Sequence, residues 1–130
     1  MKRARIAVPA IALLTVWSCF SDRQTVLDPG DDSPECRIPG SAIGTNRAVV
    51  MIRGFRFLPD TVRIRAGGTI TWVNCEAANI PSHTSTSSTG VWDSGPLAPG
   101  ESHAESFGSA GSFSYSCVPH STMRGVVIVS

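Results

Sequence analysis

The sequence predicts an all-β sandwich or barrel of about seven to eight short strands. Valine, isoleucine and threonine recur in short runs, and several of these runs alternate apolar with polar side chains. Twelve glycines and nine prolines among 130 residues supply turns at close spacing. No segment has a sustained amphipathic helical period, so strands joined by turns are the expected architecture.

The first eighteen residues are typical of an export signal. An apolar run over residues 6–17 is too short to serve comfortably as a permanent membrane anchor. The basic residues that precede this run are Lys2, Arg3 and Arg5. We therefore expect residues 1–18 to be removed from the mature protein.

The segment TVWSC at residues 15–19 resembles a bacterial lipobox, in which the cysteine becomes the lipidated first residue of the mature chain. Ser18 suits the position before Cys19, whereas Val16 stands where leucine is commonest and Trp17 is unusual. We expect a lipid on Cys19, and the alternative is an ordinary secretory signal that is cleaved a few residues later. Both interpretations place the mature chain outside the cytoplasm, in a bacterial periplasm or cell envelope.

Residues 19–46 are predicted to form a flexible tether behind that lipid anchor. The segment is rich in aspartate, proline, glycine and serine, and it lacks a sustained apolar period. It contains five acidic residues and two arginines. The folded domain is predicted to occupy residues 47–130.

The predicted strands of this domain differ in how clearly they alternate. Residues 61–66 alternate best, with Val62 and Ile64 on one side and arginines on the other. In residues 48–57, Phe55 and Phe57 share one side, and we interpret both as packing residues. The remaining predicted strand segments are residues 69–74, 83–87, 102–107, 113–117 and 125–130.

The charge of the chain argues against a nucleic-acid partner. The formal net charge is +1, and only 16% of the residues are charged. Without the signal, eight arginines face ten acidic residues, so no large basic surface remains to bind phosphates. We expect a monomer that contacts the membrane only through its lipid anchor.

The cysteines divide into three groups. Cys19 is the lipidation candidate, and Cys36 and Cys75 lie outside any dense ligand motif, so they could form a disulfide in an oxidising compartment. Such a bond would join the tether to the domain, and the alternative is that either cysteine is free. Cys117 would then be a lone exported thiol, and a metal bond would explain why it stays reduced.

Cys117 begins a dense set of metal-binding side chains. His120 follows three residues later and Met123 three residues after that, between the predicted strands 113–117 and 125–130. A tight loop can direct all three side chains at one point. Thiolate, imidazole and thioether together suit copper better than calcium or magnesium, and a blue copper site needs a second histidine.

The second histidine is either His83 or His103. His83 lies in a loop between two predicted strands, whereas His103 follows a Gly-Glu turn and has the same parity as Phe107. Parity leaves His103 open as an interior residue, although a histidine beside such a turn is usually solvated. We choose His83, mainly for its loop setting.

These residues together resemble the cupredoxins, blue copper proteins of the plastocyanin and azurin class, and amicyanin most. The segments that carry the resemblance are FRFLPDTVRIRAGGTITWVN, PSHT, WDSGPLAPGES and FGSAGSFSYSCVPHSTMRGVVIV. The short C-x2-H-x2-M spacing is the amicyanin-like form. The resemblance implies a Greek-key β-sandwich that binds one type 1 copper ion and shuttles single electrons.

The resemblance also implies roles for individual residues. The implied copper ligands are His83, Cys117, His120 and Met123, and Asn74 would tie the ligand loops together near the cysteine sulfur. Electrons would pass through a small apolar patch at Val118, Pro119 and His120, with Ile80 and Pro81 nearby. The expected partners are transiently docked redox proteins such as a cytochrome, a dehydrogenase or an oxidase.

Other interpretations of these residues remain open at this point. The same ligands would serve a periplasmic copper-trafficking protein, although such carriers often have extra exposed methionines or histidines. A structural zinc site fits methionine poorly, and a Cys117–His120 nucleophilic pair lacks an orienting side chain in its loop. Multicopper enzymes need further domains and histidines, so we expect no enzyme activity from this chain by itself.

Overall fold

The computed structural model describes Cys36 and residues 38–130. The predicted signal, Cys19 and most of the tether therefore lie outside the described residues. Among the residues that are described, no helix is long and apolar enough to cross a membrane.

The described part of the chain contains eight strands and one short 3-10 helix, Gly40–Ala42. The strands are β1 (Arg47–Ile52), β2 (Phe57–Leu58), β3 (Thr61–Ile64), β4 (Gly68–Asn74), β5 (Thr86–Ser87), β6 (Ser102–Phe107), β7 (Gly111–Ser116) and β8 (Arg124–Val129). The prediction of an all-β fold with seven to eight strands is confirmed.

The strands form two four-stranded sheets. One sheet has the order β2-β1-β4-β6 and the other β3-β8-β7-β5. β1 pairs with β4 and β3 with β8 in parallel, whereas the remaining pairs are antiparallel. The loop between β7 and β8 carries Cys117, His120 and Met123, and the loop between β4 and β5 carries His83.

The core lies between the sheets and is rich in aromatic side chains. Trp72 and Trp92 stack with their ring centroids 5.3 Å apart, and Tyr115 packs edge-on against Trp72 at 5.4 Å. All three are buried, as are Phe57 and Phe107. Apolar burial of this extent is the main force that holds the two sheets together.

The structure differs from the prediction between residues 48 and 57. This segment is two strands instead of one, because a turn at Gly54 and Phe55 separates β1 from β2. Phe55 was expected to pack inside, but its side chain is 43% exposed. The positive φ angles of Gly54 and Phe55, 59° and 56°, reverse the chain and end the alternation there.

The residues just before the predicted boundary at residue 47 make contacts with the domain. Ala42 is buried, and the Asn46 side chain donates to the Arg65 carbonyl while it accepts from the Arg65 N–H. Residues 40–46 therefore already pack against the domain. A hydrophobic pattern does not reveal the two hydrogen bonds that the Asn46 side chain makes with the backbone of Arg65.

Gly125 of β8 is predicted to tolerate no side chain. It pairs with Tyr115, and a Cβ built on it would lie 2.8 Å from Cε1 of that ring and closer still to Cζ. Because Tyr115 is buried, Gly125→Ala should lower the free energy of unfolding by about 1–3 kcal/mol, measured by urea titration. Gly108→Ala is the control, since nothing lies within 4 Å of a Cβ built at that position. An equal loss of stability in this variant would contradict the packing argument.

Candidate metal centre

The loop between β7 and β8 is closed by its own backbone. The Cys117 N–H donates to the Met123 carbonyl at 3.1 Å, and the Met123 N–H donates to the His120 carbonyl at 2.9 Å. The His120 N–H in turn donates to the Cys117 carbonyl at 3.3 Å. These three bonds fix the positions from which the three side chains start.

His83 is held by a different part of the chain. Its backbone N–H and carbonyl exchange two hydrogen bonds with Leu97, at 3.0 and 2.7 Å. The Asn74 side chain, at the end of β4, donates to the Leu97 carbonyl at 2.8 Å. The loop that carries His83 is therefore fastened to β4 through Leu97.

The two loops bring His83, Cys117 and His120 to one point. The Nδ1 atoms of the two histidines lie 3.0 Å apart, and Cys117 Sγ lies 3.7 Å from Nδ1 of His83 and 3.4 Å from Nδ1 of His120. His83 and Cys117 are buried, and His120 is partly exposed. Three good ligand atoms thus face one another at the end of the sandwich.

These distances fit one metal ion between the three atoms. A trigonal ion about 2.0 Å from each nitrogen and about 2.3 Å from the sulfur would separate nitrogen from sulfur by about 3.7 Å and the nitrogens by about 3.5 Å. The observed separations of 3.7, 3.4 and 3.0 Å are close to these values. Two imidazoles, one thiolate and an axial methionine are the donor set of blue copper sites.

Of the two remaining candidate ligands, Met123 belongs to the ligand loop and His103 lies apart from the three ligand residues. Met123 is buried, and its position is fixed by the closed loop that also carries Cys117 and His120. His103 lies on β6 opposite Trp72, with Nε2 3.7 Å from Glu105, and is not among the three grouped ligand residues. Of the two histidines that the sequence left open, the structure places His83 with the cysteine.

The hydrogen bond to the cysteine sulfur comes from Thr84 and not from Asn74. The Thr84 N–H donates to Cys117 Sγ at 3.3 Å, and its hydroxyl oxygen accepts from the Val118 N–H at 2.9 Å. Thr84 therefore links the two ligand loops, the role that the family resemblance implied for Asn74. Pro119 has no N–H to offer the sulfur.

Glu76 is a site residue that sequence reasoning missed. Its Oε1 atom lies 3.3 Å from Nε2 of His83, on the side of the ring away from the candidate metal. Burial lowers the pKa of His83, the nearby His120 lowers it further, and Glu76 acts in the opposite direction. A lowered pKa keeps the imidazole neutral, which is the form that binds metal.

The residues of the predicted electron-transfer patch are exposed, and His120 is partly exposed. Val118 is 67% exposed, and Pro119 and Pro81 are exposed as well. Phe55 adds an apolar ring to this end of the molecule. Exposed apolar side chains that lie close together are suited to contact with another protein.

The structure joins Cys36 to Cys75 by a disulfide, with 4.4 Å between their Cα atoms. Cys75 lies directly between Asn74 and Glu76, both of which support the loop of His83. Among the described cysteines only Cys117 is free, and it is buried. Cys36 is thus fastened next to residues that support the candidate metal centre.

The comparisons with known proteins agree with this site. Residues 45–130 match the model of the copper binding proteins of the plastocyanin/azurin family. The chain is 29% identical to amicyanin from Paracoccus versutus over 130 residues, which cover 98% of this chain and 96% of the relative. It is 34% identical to plastocyanin from Scenedesmus fuscus over 84 residues, which cover 56% of this chain and 85% of the relative.

A solved structure of a relative has a similar fold. The crystal structure of amicyanin from Paracoccus versutus is 31% identical and superposes with a TM-score of 0.58, covering 74% of this chain and 88% of that one. These relatives indicate a blue copper electron-transfer protein, and the arrangement of His83, Cys117, His120 and Met123 is compatible with one type 1 copper site. The chain belongs to the plastocyanin/azurin family of copper-binding proteins.

Proposed function

We propose that Nδ1 of His83, Nδ1 of His120, the thiolate of Cys117 and the sulfur of Met123 hold one copper ion, and that the chain carries single electrons between redox proteins. The observation that carries this proposal is the meeting of two Nδ1 atoms and one Sγ atom, with separations of 3.0, 3.4 and 3.7 Å. When bound, copper supplies a Cu(I)/Cu(II) couple. With this couple the chain can accept an electron from one protein and donate it to another, and it needs no other cofactor.

Hydrogen bonds around the ligand residues support electron transfer because they fix the positions of those residues. Three backbone hydrogen bonds close the loop of Cys117, and Leu97 holds His83 on both its N–H and its carbonyl. Ligands that cannot move far when the metal changes charge keep the reorganisation energy low. Burial of Cys117 also shields its thiolate from oxidants.

The exposed edge of His120 is the proposed point of electron transfer. Val118 and Pro119 are exposed on the same loop and form an apolar surface beside it. We propose that a cytochrome, a dehydrogenase or an oxidase docks there briefly, and that the chain acts as a monomeric carrier with no enzyme activity by itself. Brief docking suits a carrier, because fast turnover requires fast dissociation.

We also propose that the protein works in a bacterial periplasm or cell envelope, anchored by a lipid on Cys19. The export pattern of residues 1–18 and the segment TVWSC support this location. The disulfide between Cys36 and Cys75 is consistent with an oxidising compartment. Mass spectrometry of the mature protein that found an unmodified Cys19, or cleavage beyond it, would overturn the anchor.

Voltammetry of the copper-loaded mature protein tests the proposed function. We expect one reversible one-electron wave for the unmodified chain and its loss in His120→Ala. His103→Ala is the matched control and should keep the wave, because His103 lies outside the three grouped ligand residues. A chain without the wave that passes its copper rapidly to a chelator would instead be a trafficking protein.

A further inference from the structure

Phe55 sits in a turn that an aromatic residue seldom occupies. Arg53 and Arg56 exchange two backbone hydrogen bonds, at 3.0 and 3.2 Å, so Gly54 and Phe55 are the two central residues of a tight hairpin turn. Both have positive φ, as a type I′ turn requires, and glycine, asparagine and aspartate dominate such positions. A phenylalanine there is held in a left-handed conformation that costs free energy.

The ring of Phe55 contacts both histidines of the candidate metal centre. Its centroid lies 5.1 Å from that of His83 and 5.0 Å from that of His120, and it stands nearly perpendicular to each. The two imidazoles are themselves 4.8 Å apart. One exposed ring thus packs against two side chains that come from different loops.

Glu76 holds the turn in this position. Its Oε1 atom accepts a hydrogen bond of 2.8 Å from the Phe55 N–H, and the same atom lies 3.3 Å from Nε2 of His83. The buried carboxylate therefore ties the backbone of Phe55 to the imidazole beneath its ring.

A groove of about 440 Å³ opens beside this ring. Its walls include Phe55, Leu58 and Met123, but among the described residues that line it neither His83 nor His120 appears. The groove therefore reaches Met123, the candidate axial ligand, and the ring of Phe55, but it does not reach the imidazoles of His83 and His120. Shortening the side chain at position 55 would extend the groove toward them.

We propose that Phe55 is a positioning and shielding residue, whose ring covers His83 and His120 and keeps water and small anions away from the metal. This inference rests on the proposed function, since it assigns a role around the same ligands. The apolar surroundings of a metal site control solvent access and thereby the properties of the metal. The contacts of the ring with both imidazoles and the hydrogen bond to Glu76 offset the cost of the left-handed backbone.

The variant Phe55→Asn tests whether Phe55 shields the two histidines or only stabilises the fold. Asparagine suits a left-handed position, so the urea midpoint of the variant should equal or exceed that of the unmodified chain. In metal-free protein, diethylpyrocarbonate should modify His83 and His120 at least about tenfold faster in the variant. His103 is the internal control, and peptide mapping by mass spectrometry should find its rate unchanged.

Leu58→Ala is the matched surface control. Leu58 is 39% exposed and lines the same groove, but its loss should leave both modification rates unchanged. In copper-loaded protein, azide should bind at least about tenfold more tightly to Phe55→Asn than to the unmodified chain, followed by the visible spectrum. Phe55→Leu should be intermediate, because a smaller apolar side chain covers the rings in part.

Two results would overturn the inference. The first is equal modification of His83 and His120 in Phe55→Asn and the unmodified chain, and the second is an equal increase in Leu58→Ala. A chain that takes up no copper in any form would overturn the proposed function instead, while the metal-free modification rates would still decide whether Phe55 covers the two histidines.

Discussion

Replacing Cys117 with serine should abolish the intense visible band and the narrow copper hyperfine splitting of the copper-loaded protein. Both features require a copper–thiolate bond, and a serine hydroxyl is a much weaker ligand than a thiolate. The exchange replaces one small buried side chain by another, and the Thr84 N–H that donates to Sγ at 3.3 Å can donate to Oγ. We therefore expect the variant to fold and to give at most a pale, ordinary Cu(II) spectrum.

The cysteines of the disulfide provide the control for this experiment. The double variant Cys36→Ala and Cys75→Ala should keep the blue band, because neither residue belongs to the group of three ligand atoms. A band that survived in Cys117→Ser and vanished in the double variant would assign the thiolate to Cys36 or Cys75, contrary to the proposed site. Absorption and electron paramagnetic resonance spectra of the three proteins distinguish these outcomes.

Removing the disulfide should destabilise the protein by about 4 kcal/mol, the expected effect of closing a loop between cysteines 39 positions apart. That loop contains β1 to β4, so the bond restricts four of the eight described strands in the unfolded state. A domain of this size typically has only about 5–15 kcal/mol of stability, so the loss should be conspicuous in urea titrations of the double variant.

A reducing agent supplies the independent check on this value. It should lower the free energy of unfolding of the unmodified chain by a similar amount and should leave the double variant unchanged. Equal stability of the unmodified chain with and without reductant would show that Cys36 and Cys75 are not joined in solution. Alanine is preferred to serine in this variant, because Cys75 is buried and a hydroxyl there would need a partner.

The part of the site that lies within one loop could be predicted from the sequence. Cys117, His120 and Met123 lie three positions apart in the sequence, and strands on both sides of them fix the loop. Residues this close in sequence also lie close together in the folded chain, and their donor atoms already suggested copper. The choice of His83 over His103 depended mainly on the loop setting, and the structure brings His83 close to Cys117 and His120.

The contacts between distant loops could not be predicted in the same way. Phe55 and Glu76 are 21 residues apart, and Thr84 and Cys117 are 33 apart, so no periodic pattern connects them. The alternation of residues 48–57 favoured a single strand with Phe55 inside. A turn overrode that pattern because its backbone hydrogen bonds and the Glu76 carboxylate hold the ring over the histidines instead.

The position of β8 in the sequence has a consequence for how the ligand loop closes. β8 follows Cys117, His120 and Met123, and among the described strands it is the one that joins β3 to β7 in their sheet. These three residues are therefore synthesised before the strand that holds the far end of their loop. If the loop closed late, the Cys117 thiol would be free to react with Cys36 or Cys75, and a wrong pair would remove the thiolate that the proposed copper site needs. We therefore expect fast docking of β8 to favour the pair Cys36–Cys75.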